Sequence, residues 1–458
     1  MARGKKKESA LTPEEKLAQA LVPEDEQPYK VSENWCWTRT GNIAEVASGG
    51  TPSSSIAEYY ENGDIPWISP ADLSGYSAVY IDGGAKNITA LGLEKSSAKL
   101  LPKDTVCLSS RAPIGYVAIA SNPLCTNQGF KNFLPSACYL PKYLYWYLKG
   151  NKELLESYAS GTTFLELSGS KAAMVEIPLA PIAEQQRIVD RIEYLFAKLD
   201  EAKEKAQSVL DSFETRKAAI LHKAFTGELT AKWRVVHDVS AESWKAIPLK
   251  NCGSWYGGGT PSTAHPEYWE NGTLLWITSK DMKSDLIEDT LMHTTMQGVE
   301  NSSAKYIEEP AVLFVMRSGI LRRTFPVCMV KKPFTVNQDL KAVVPHDIEL
   351  EYLFWAAKAA EKDILEKCMK SGTTVESINA SALQNFTIRV AGNEEQKEII
   401  HILDGLFTKE QQAKEAAEAV LEKIDLLKKS ILARAFRGEL GTNDPTEPSA
   451  LELLKRIL

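Results

Sequence analysis

The sequence predicts an α+β protein in which one plan occurs twice: a β-rich α+β domain followed by a long helix. Two stretches, residues 183–225 and 394–436, carry apolar side chains at alternating steps of three and four, which is the a/d spacing of a coiled-coil seam. The segments before them share short motifs in the same order, displaced by 209 to 211 positions. A displacement this constant indicates an internal duplication.

The two helical stretches match in length and register. At 1.5 Å per residue each would span about 65 Å, which is long for a core helix. Arg216 and Glu410 are polar interruptions of the two seams. The seams comprise Ile188, Ile192, Leu195, Leu199, Ala202, Ala206, Val209 and Phe213, and Ile399, Leu403, Leu406, Ala413, Ala417, Val420, Ile424 and Leu427. We predict that the two helices form an intramolecular antiparallel coiled coil with a pseudo-twofold axis. A buried bundle helix is the alternative, which the charged flanks disfavour.

The β-rich domains share motifs at matched positions. A Gly-Gly-Thr-Pro turn occurs at 49–52 and 258–261, a Trp-Ile pair at 67–68 and 276–277, and an Asn-Gln pair at 127–128 and 337–338. Short β-rich runs alternate with turn residues and with one helical segment at 141–148 in the first copy. This alternation is typical of an α+β domain.

The pattern divides the chain into seven segments. Thr12 and Pro13 form a good helix start in the N-terminal tail, and Gly227 is suited to end the first long helix. The segments are an N-terminal tail with a short helix (1–30), a first α+β domain (31–181), a first long helix (182–226), a linker (227–243), a second α+β domain (244–393), a second long helix (394–436) and a C-terminal tail helix (437–458).

Composition and charge exclude several classes of protein. Apolar residues make up 44% and charged residues 25% of the chain, as in globular proteins, and no apolar run reaches the length of a membrane span. Seven scattered cysteines without a Cys-x-x-Cys pair favour a reducing cytoplasm, and six isolated histidines give a metal site little support. A net charge of -7 argues against a protein that simply coats DNA, although a local basic face is compatible with it.

The motifs resemble those of the specificity subunits of Type I restriction-modification systems. The similarity includes the Gly-Gly-Thr-Pro turn, the Trp-Ile strand, the Ser-Ser-Arg-Ala-Pro-Ile-Gly segment at 109–115 and the Asn-Gln pair. It extends to the ends of the first long helix, Pro-Ile-Ala-Glu-Gln-Gln at 181–186 and Leu-His-Lys-Ala-Phe-Thr-Gly-Glu-Leu at 221–229. Nearly the whole chain is covered, and the twofold recurrence of the motifs in order makes the resemblance specific.

This resemblance implies a non-catalytic subunit with two target recognition domains. Each domain would bind one half of a bipartite, asymmetric site in duplex DNA, and the coiled coil would set the spacing. Two modification subunits would bring S-adenosylmethionine and methylate adenine N6, and two restriction subunits would use ATP and Mg. We expect no cofactor in this chain itself, because it lacks a Gly-x4-Gly-Lys loop and an Asp-Pro-Pro-Tyr or Asn-Pro-Pro-Phe motif.

Candidate binding residues follow from these expectations. The candidates for DNA contact in the first domain are Thr51, Ser110, Arg111, Asn127, Gln128 and Lys131, and those in the second are Thr260, Lys280, Arg317, Arg322, Arg323, Asn337 and Gln338. The candidates for partner docking are Ile188, Leu195, Ile399 and Leu406 on the long helices. Arginine suits guanine edges, lysine suits phosphate, and asparagine and glutamine can pair with adenine edges.

Several roles stay open at this level. The matched Arg111 and Arg317 hold either the fold or a phosphate, whereas the unmatched Lys280, Arg322 and Arg323 are candidates for base contact. The Asn-Gln pairs either cap a turn or contact a base, and the paired glycines serve either a tight turn or a close approach to DNA.

A function of a different class is also open. Two β-rich modules on a coiled spacer could form a structural protein that binds other proteins or glycans, which the acidic net charge favours. A basic stretch at 311–338, with aromatic residues Phe314, Phe325 and Phe334 between its cations, opposes that alternative.

Overall fold

The computed structural model describes residues 12–111, 113–161, 165–370 and 375–457. These residues divide into two compact units, one formed by the chain up to residue 205 and from 419 onward, the other by residues 206–418. Each unit contains one α+β domain, which confirms the predicted fold class. Residues 1–11 of the predicted N-terminal tail and Leu458 of the predicted tail helix lie outside the described residues.

The first α+β domain has an N-terminal helix, three β-sheets and several short helices. Its elements are α1 Pro13–Ala20, β1 Cys36–Arg39, α2 Thr40–Ile43, β2 Val46–Ser48, β3 Ile65–Ile68, β4 Tyr80–Ile81, β5 Lys86–Ile88, α3 Ala90–Glu94, β6 Val106–Ser110, β7 Ile114–Ala120, β8 Cys125–Thr126, β9 Phe130–Phe133, α4 Pro141–Gly150, α5 Lys152–Tyr158, α6 Gly169–Met174 and β10 Glu176–Leu179. The sheet orders are β2-β9-β6-β7-β4, β5-β3-β8 and β1-β10.

The second domain repeats this topology strand for strand. The connecting helices and its own elements are α7 Ile182–Asp211, α8 Phe213–Thr226, α9 Ala231–His237, β11 Lys245–Pro248, β12 Gly253–Gly257, β13 Leu274–Ile277, β14 Leu286–Ile287, β15 His293–Thr294, α10 Met296–Glu300, β16 Ala311–Val315, β17 Val327–Val330, β18 Phe334–Val336, β19 Leu340–Pro345, α11 Leu350–Ala359, α12 Glu361–Cys368, α13 Ala380–Asn385, β20 Thr387–Val390, α14 Asn393–Phe436 and α15 Ala450–Lys455. The sheet orders are β12-β19-β16-β17-β14, β15-β13-β18 and β11-β20. The duplication predicted from the motifs is therefore present in the strand order.

In each unit an aromatic helix lies between the five-stranded sheet and the end of a long helix. In the first unit, Tyr143 of α4 contacts Phe436 of α14 edge to face, with ring centroids 5.1 Å apart. In the second, Tyr352 of α11 contacts Phe225 of α8 with centroids 5.2 Å apart. Both tyrosines are fully buried. The carboxyl-terminal part of each long helix is thus anchored in a domain core.

The first long helix is interrupted where the sequence predicted one continuous helix over 182–226. Ser212 separates α7 from α8, and its hydroxyl donates to Ser208 O over 2.6 Å. A serine that hydrogen-bonds back to the carbonyl four residues earlier bends a helix. The second long helix, α14, is continuous over 44 residues.

Within each unit the helix segments run antiparallel. In the second unit, Arg216 pairs with Glu410 at 2.8 Å, and the Lys414 amino group lies 5.2 Å from the centroid of the Phe213 ring. In the first unit, Lys428 pairs with Asp200 at 2.6 Å. The two polar interruptions of the predicted seams therefore neutralise each other, which explains why each seam tolerates one.

The buried stripe of α14 departs from the predicted seam in the first unit. Val420 and Leu427 of the predicted seam are 40% and 48% exposed, whereas Ile424 of the seam and Leu432 outside it are buried. A straight helix drifts by about 20° per heptad relative to a strict seven-residue repeat. Near its end α14 packs against the domain core, where Leu432, Ala435 and Phe436 are all buried, so the buried stripe is wider there than a heptad seam.

Near the start of each long helix, a buried glutamate accepts hydrogen bonds from other segments of the same unit. Glu395 accepts hydrogen bonds from Trp244 Nε1 at 2.9 Å, from Arg234 at 2.6 Å and from Thr230 at 2.6 Å. The matched Glu184 accepts from Trp35 Nε1 at 2.8 Å and Asn443 Nδ2 at 2.7 Å.

The segments predicted as a linker and a tail helix supply these contacts. Residues 227–243 contain α9, and its Arg234 forms the ion pair with Glu395. Residues 437–449 are not helical, and α15 forms only at 450–455. Asn443 lies in that non-helical part, so the segment after each long helix packs against a domain instead of remaining a free connection.

Candidate nucleic-acid interface

Three loops of the first domain meet at one edge of its sheets. The backbone N–H of Asn127 donates to Ile68 O over 2.9 Å, and that of Ser110 donates to Gly129 O over 2.7 Å. We call this place, formed by residues 49–51, 110–111 and 127–129, the loop edge of the first domain. The parallel strands β3 and β8 both end here. The predicted residues Thr51, Ser110, Arg111, Asn127 and Gln128 are therefore neighbours.

The second domain has the same loop edge, formed by residues 258–260, 316–317 and 337–339. The backbone N–H of Asn337 donates to Ile277 O over 3.0 Å, and that of Met316 donates to Asp339 O over 2.8 Å. Thr260, Arg317, Asn337 and Gln338 lie together here.

Lys280 follows the end of β13 at the same edge. The carboxylate of Asp281 accepts from Thr278 N–H at 2.8 Å and so holds the turn that carries Lys280. Lys280 is exposed. The position that corresponds to it in the first domain is Ala71, so the two loop edges differ in charge.

The paired glycines are required by the chain's own packing. A Cβ atom on Gly49 would lie 2.0 Å from Asn127 O, and one on Gly258 would lie 1.7 Å from Val336 O. Such distances are far inside van der Waals contact, so no larger residue fits. Close packing against the chain's own backbone, which the sequence did not predict, therefore accounts for these glycines without a close approach to DNA.

The Asn-Gln pairs have the same internal contacts in both domains. Asn127 Oδ1 accepts from the Gly129 N–H at 2.8 Å, and Asn337 Oδ1 accepts from the Asp339 N–H at 3.1 Å. The Thr260 hydroxyl donates to Gln338 Oε1 at 2.7 Å, and Thr51 donates in the same way to Gln128 Oε1. The asparagines thus cap turns, while both glutamines are exposed.

Two of the predicted contact residues in the first domain are inaccessible. Ser110 is fully buried and Lys131 is 5% exposed. Burial lowers the pKa of Lys131, the nearby Glu166 carboxylate opposes this shift, and Arg111 adds to it. Arg111 is partly exposed and lies beside Gly129. The accessible polar groups of this loop edge therefore belong to the exposed Thr51 and Gln128 and to the half-buried Arg111 and Asn127.

The basic stretch of the second domain does not form one patch. Lys331 pairs with Glu351 at 2.7 Å beyond the end of β17, whereas Arg317 lies at the other end of the antiparallel β16–β17 pair. Phe314, Phe325 and Phe334 are core residues. The cations of this stretch therefore lie at opposite ends of the strand pair, and the aromatic residues between them in the sequence belong to the core.

Arg322 ends a single turn of 3-10 helix, Gly319–Arg322, and Arg323 follows it. Both are exposed, and the Arg322 guanidinium forms an ion pair with Glu376. Among the described residues no ion pair involves Arg323. Arg323 is thus the more available of the two for an external acceptor.

One cation of the second loop edge was not predicted from the sequence. Lys341 occupies the position of Lys131, and its amino group lies 2.6 Å from where a Cβ of Gly257 would stand. The constant displacement of 210 positions in this part of the repeat, from Gln128 to Gln338, would have identified it.

The four residues predicted to dock partners divide into two kinds. Ile188 and Ile399 are fully buried in the cores of their own units, so they offer no surface to a partner. Leu195 and Leu406 are partly exposed. The a/d pattern predicts that a side chain is buried, but not whether it is buried in the core of its own unit or against a partner. It therefore predicted the two isoleucines and the two leucines alike as docking residues.

Two equivalent domains, each with amide and cationic side chains at the same edge, define a protein with two related sites suited to nucleic acid. The chain matches the family model described as Type I restriction modification DNA specificity domain over residues 32–210 and 241–423, one match for each domain. It therefore belongs to the family of Type I restriction-modification DNA specificity subunits.

Individual relatives agree with this assignment. The chain is 31% identical over 363 residues, 78% of this chain and 83% of the relative, to the MjaIX specificity subunit of Methanocaldococcus jannaschii. It is 22% identical to the EcoKI specificity subunit of Escherichia coli strain K12 over 93% of this chain and 96% of that one. Its fold matches the crystal structure of the HsdS subunit from Thermoanaerobacter tengcongensis, with a TM-score of 0.66 at 18% identity, over 91% of this chain and 100% of that one.

The family membership decides between the two functional classes left open by the sequence. The role of the chain is DNA sequence specificity, and the alternative of a scaffold for proteins or glycans is set aside. Within the described residues, no helix is both long enough and apolar enough to cross a bilayer.

Proposed function

We propose that this chain selects the DNA sequence on which a Type I restriction-modification complex acts, with each domain recognising one half of a bipartite, asymmetric site. The observation that carries this proposal is the pair of loop edges, which share a framework and differ in exposed charge. Thr51 and Gln128 correspond to Thr260 and Gln338, whereas Lys280 has no cationic counterpart. A shared framework with different exposed side chains suits two half-sites of different sequence.

Within each half-site the accessible residues have different tasks. Arg111 and Arg317 occupy matched positions, so we assign them to phosphate, which is present in every sequence. Lys280 and Arg323 are exposed and unmatched, which suits contact with base edges. Arg322 could contact a base only after its ion pair with Glu376 is broken. The net charge of -7 leads us to expect weak binding without partner subunits.

Replacing Arg317 by alanine is expected to weaken duplex binding and to lower the slope of log K against log salt by about 1, since one phosphate loses its cation. Titration of a labelled duplex at several salt concentrations measures this slope. Lys245→Ala, which removes an exposed cation from β11 in the same unit, should leave it unchanged. Equal slopes for the native chain and Arg317→Ala would reject the phosphate contact.

The chain would work in the cytoplasm as part of a larger complex. Two modification subunits with S-adenosylmethionine would methylate adenine, and two restriction subunits would use ATP and Mg to cut DNA. The long helices supply apolar surface for such partners: in the first unit Tyr194, Leu426 and Leu427 are 55%, 66% and 48% exposed. These residues replace the buried Ile188 and Ile399 as the docking candidates.

The paired helices would set the distance between the half-sites. Inserting one heptad into both helices, after residue 205 and after residue 418, adds about 10 Å to each helix. We expect the spacer of the preferred DNA site to lengthen by about 3 base pairs, at 3.4 Å per base pair. Selection of bound duplexes from a random pool reports the spacer. A heptad in only one helix should impair folding instead, and an unaltered spacer with both insertions would show that the helices do not set the distance.

The proposed function is tested by the same selection on the native chain together with its modification subunits. Sequencing of the bound duplexes should return two unlike motifs at a fixed separation. A single continuous motif, or no enrichment, would contradict recognition of one half-site by each domain.

A further inference from the structure

In the Asn-Gln pairs of the two loop edges, each amide oxygen already accepts a hydrogen bond from within the chain, whereas no hydrogen bond to a described residue uses the amide N–H₂ groups. We propose that Asn127 with Gln128, and Asn337 with Gln338, each hold a phosphate of the DNA backbone, so that one neutral clamp in each domain fixes the DNA without contributing to base choice. This inference rests on the proposed function, since it assumes that the loop edges face DNA.

The orientation of each asparagine amide follows from its partner. The backbone N–H groups of Gly129 and Asp339 can only donate, so the atoms that face them must be the amide oxygens. The Nδ2 groups of Asn127 and Asn337 form no hydrogen bond to any residue that the structure describes. Each asparagine therefore has its oxygen engaged and its two N–H donors without a partner among the described residues. Asn127 is half-buried and Asn337 is 8% exposed, so the neighbouring glutamine presents the more accessible donors of each pair.

The glutamines are oriented in the same sense. The Thr51 and Thr260 hydroxyls donate to Gln128 Oε1 and Gln338 Oε1. A hydroxyl could also accept from an amide N–H, but both domains have the same arrangement. Both glutamines are exposed, so their Nε2 groups are accessible beside the asparagine donors.

A set of donors without an acceptor discriminates between ligands. The bidentate contact to adenine needs one donor and one acceptor on the same free amide edge. Here each amide oxygen already accepts a hydrogen bond from the chain, which disfavours that contact and leaves the N–H groups as the donors for a ligand. A phosphate oxygen only accepts, and the backbone of every DNA sequence provides it.

Guanine and thymine also expose acceptors, so free donors alone do not distinguish a base from a phosphate. The comparison of the two domains makes that distinction. Both pairs keep the same residues and the same internal bonds, although the surrounding exposed residues differ, as at Ala71 and Lys280. Two unlike half-sites need unlike base contacts but the same backbone contacts. The partly exposed Arg111 beside Gly129 adds positive charge at the same place.

The test replaces each amide N–H₂ by a carboxylate oxygen and keeps the oxygen that holds the loop. The variants are Asn127→Asp, Gln128→Glu, Asn337→Asp and Gln338→Glu, each in the full chain assembled with its modification subunits. Fluorescence anisotropy measures affinity for a random-sequence duplex pool and for a duplex enriched from that pool by the native complex. We expect each variant to lose about tenfold or more in affinity for both probes, because a hydrogen bond to a charged group is replaced by repulsion.

Two controls separate this role from others. Asn122→Asp makes the same change in charge beyond the other end of β7, away from the loop edge, and should leave both affinities unchanged. Gln128→Met removes the donors without adding charge. It should lower the affinity for both probes by the same factor, and by less than Gln128→Glu does. The temperature of unfolding should match the native value in the variants of the exposed Gln128 and Gln338. If Asn127→Asp or Asn337→Asp unfolds early, Gln128→Met, Gln128→Glu and Gln338→Glu decide, since Asn337 is only 8% exposed.

The ratio of the two affinities distinguishes a phosphate contact from a base contact. An unchanged ratio with weaker binding to both probes supports the phosphate clamp. Loss confined to the enriched duplex would show base recognition and overturn the proposal, as would variants that bind both probes like Asn122→Asp. If the native complex prefers no sequence at all, the proposed function itself fails, and that result is distinct from either of these.

Discussion

Replacing Glu395 by alanine is expected to lower the free energy of unfolding of the second unit by about 3–5 kcal/mol, because removal of one partner strands a buried charge. Glu395 is 2% exposed and accepts hydrogen bonds from Arg234, Trp244 and Thr230. Without it, the Arg234 guanidinium would remain buried beside Gly227 O and Thr230, with no anion to neutralise it. Denaturant unfolding followed by hydrogen exchange of residues 228–250 measures the loss where it occurs.

The neighbouring residue provides a matched control. The Glu394 side chain is 78% exposed and pairs with Lys397 at 2.8 Å across one helical turn. Water and salt screen exposed pairs of this kind, which contribute little to stability, so Glu394→Ala should be nearly neutral. If the two alanine variants destabilise the second unit equally, the buried network is not what holds α9 and β11 against α14.

Exchanging residues 245–390 for the equivalent domain of another family member is expected to replace one half of the recognised DNA site and to leave the other half unchanged. These bounds cut the chain at the outer ends of the paired strands β11 and β20, so the exchanged piece brings both strands. They also retain Trp244 and its bond to Glu395. We expect binding to the original site to fall by about 10³-fold or more, the usual margin between specific and non-specific DNA binding.

The reciprocal exchange is the control for this experiment. Residues 36–179 of the first domain are bounded in the same way by the paired strands β1 and β10. Their replacement should change the other half-site alone. A change in both half-sites after either exchange would mean that the domains do not recognise DNA independently.

The duplication could be predicted from the sequence because matched motifs recur along the chain in the same order. Matched motifs such as the Asn-Gln pairs kept their order and spacing, and the two domains have the same strand order in all three sheets. The antiparallel helix pairing also followed from the pattern, since Arg216 and Glu410 interrupt the seams at positions that meet in the structure.

Accessibility was harder to predict than position. Lys131 lies close to Arg111 of the loop edge, as predicted, yet only 5% of the residue is exposed. Ile188 lies on the right helix, yet it packs into the core of its own unit. Whether a residue in a correctly predicted element reaches solvent depends on what packs against it, and the packing partners are remote in sequence.

The sequence by itself determined the fold class, the two copies and the family, because these depend on periodicity and on the order of local motifs. The tertiary structure alone decided the roles of single side chains. Glu395 resembles an ordinary acid at a helix start until Arg234 and Trp244 are seen to surround it. Asn127 resembles a base contact until its oxygen is found on the Gly129 N–H. A hydrogen bond commits one atom of a side chain to one partner, and that choice is made by three-dimensional proximity, which residue type and spacing do not record.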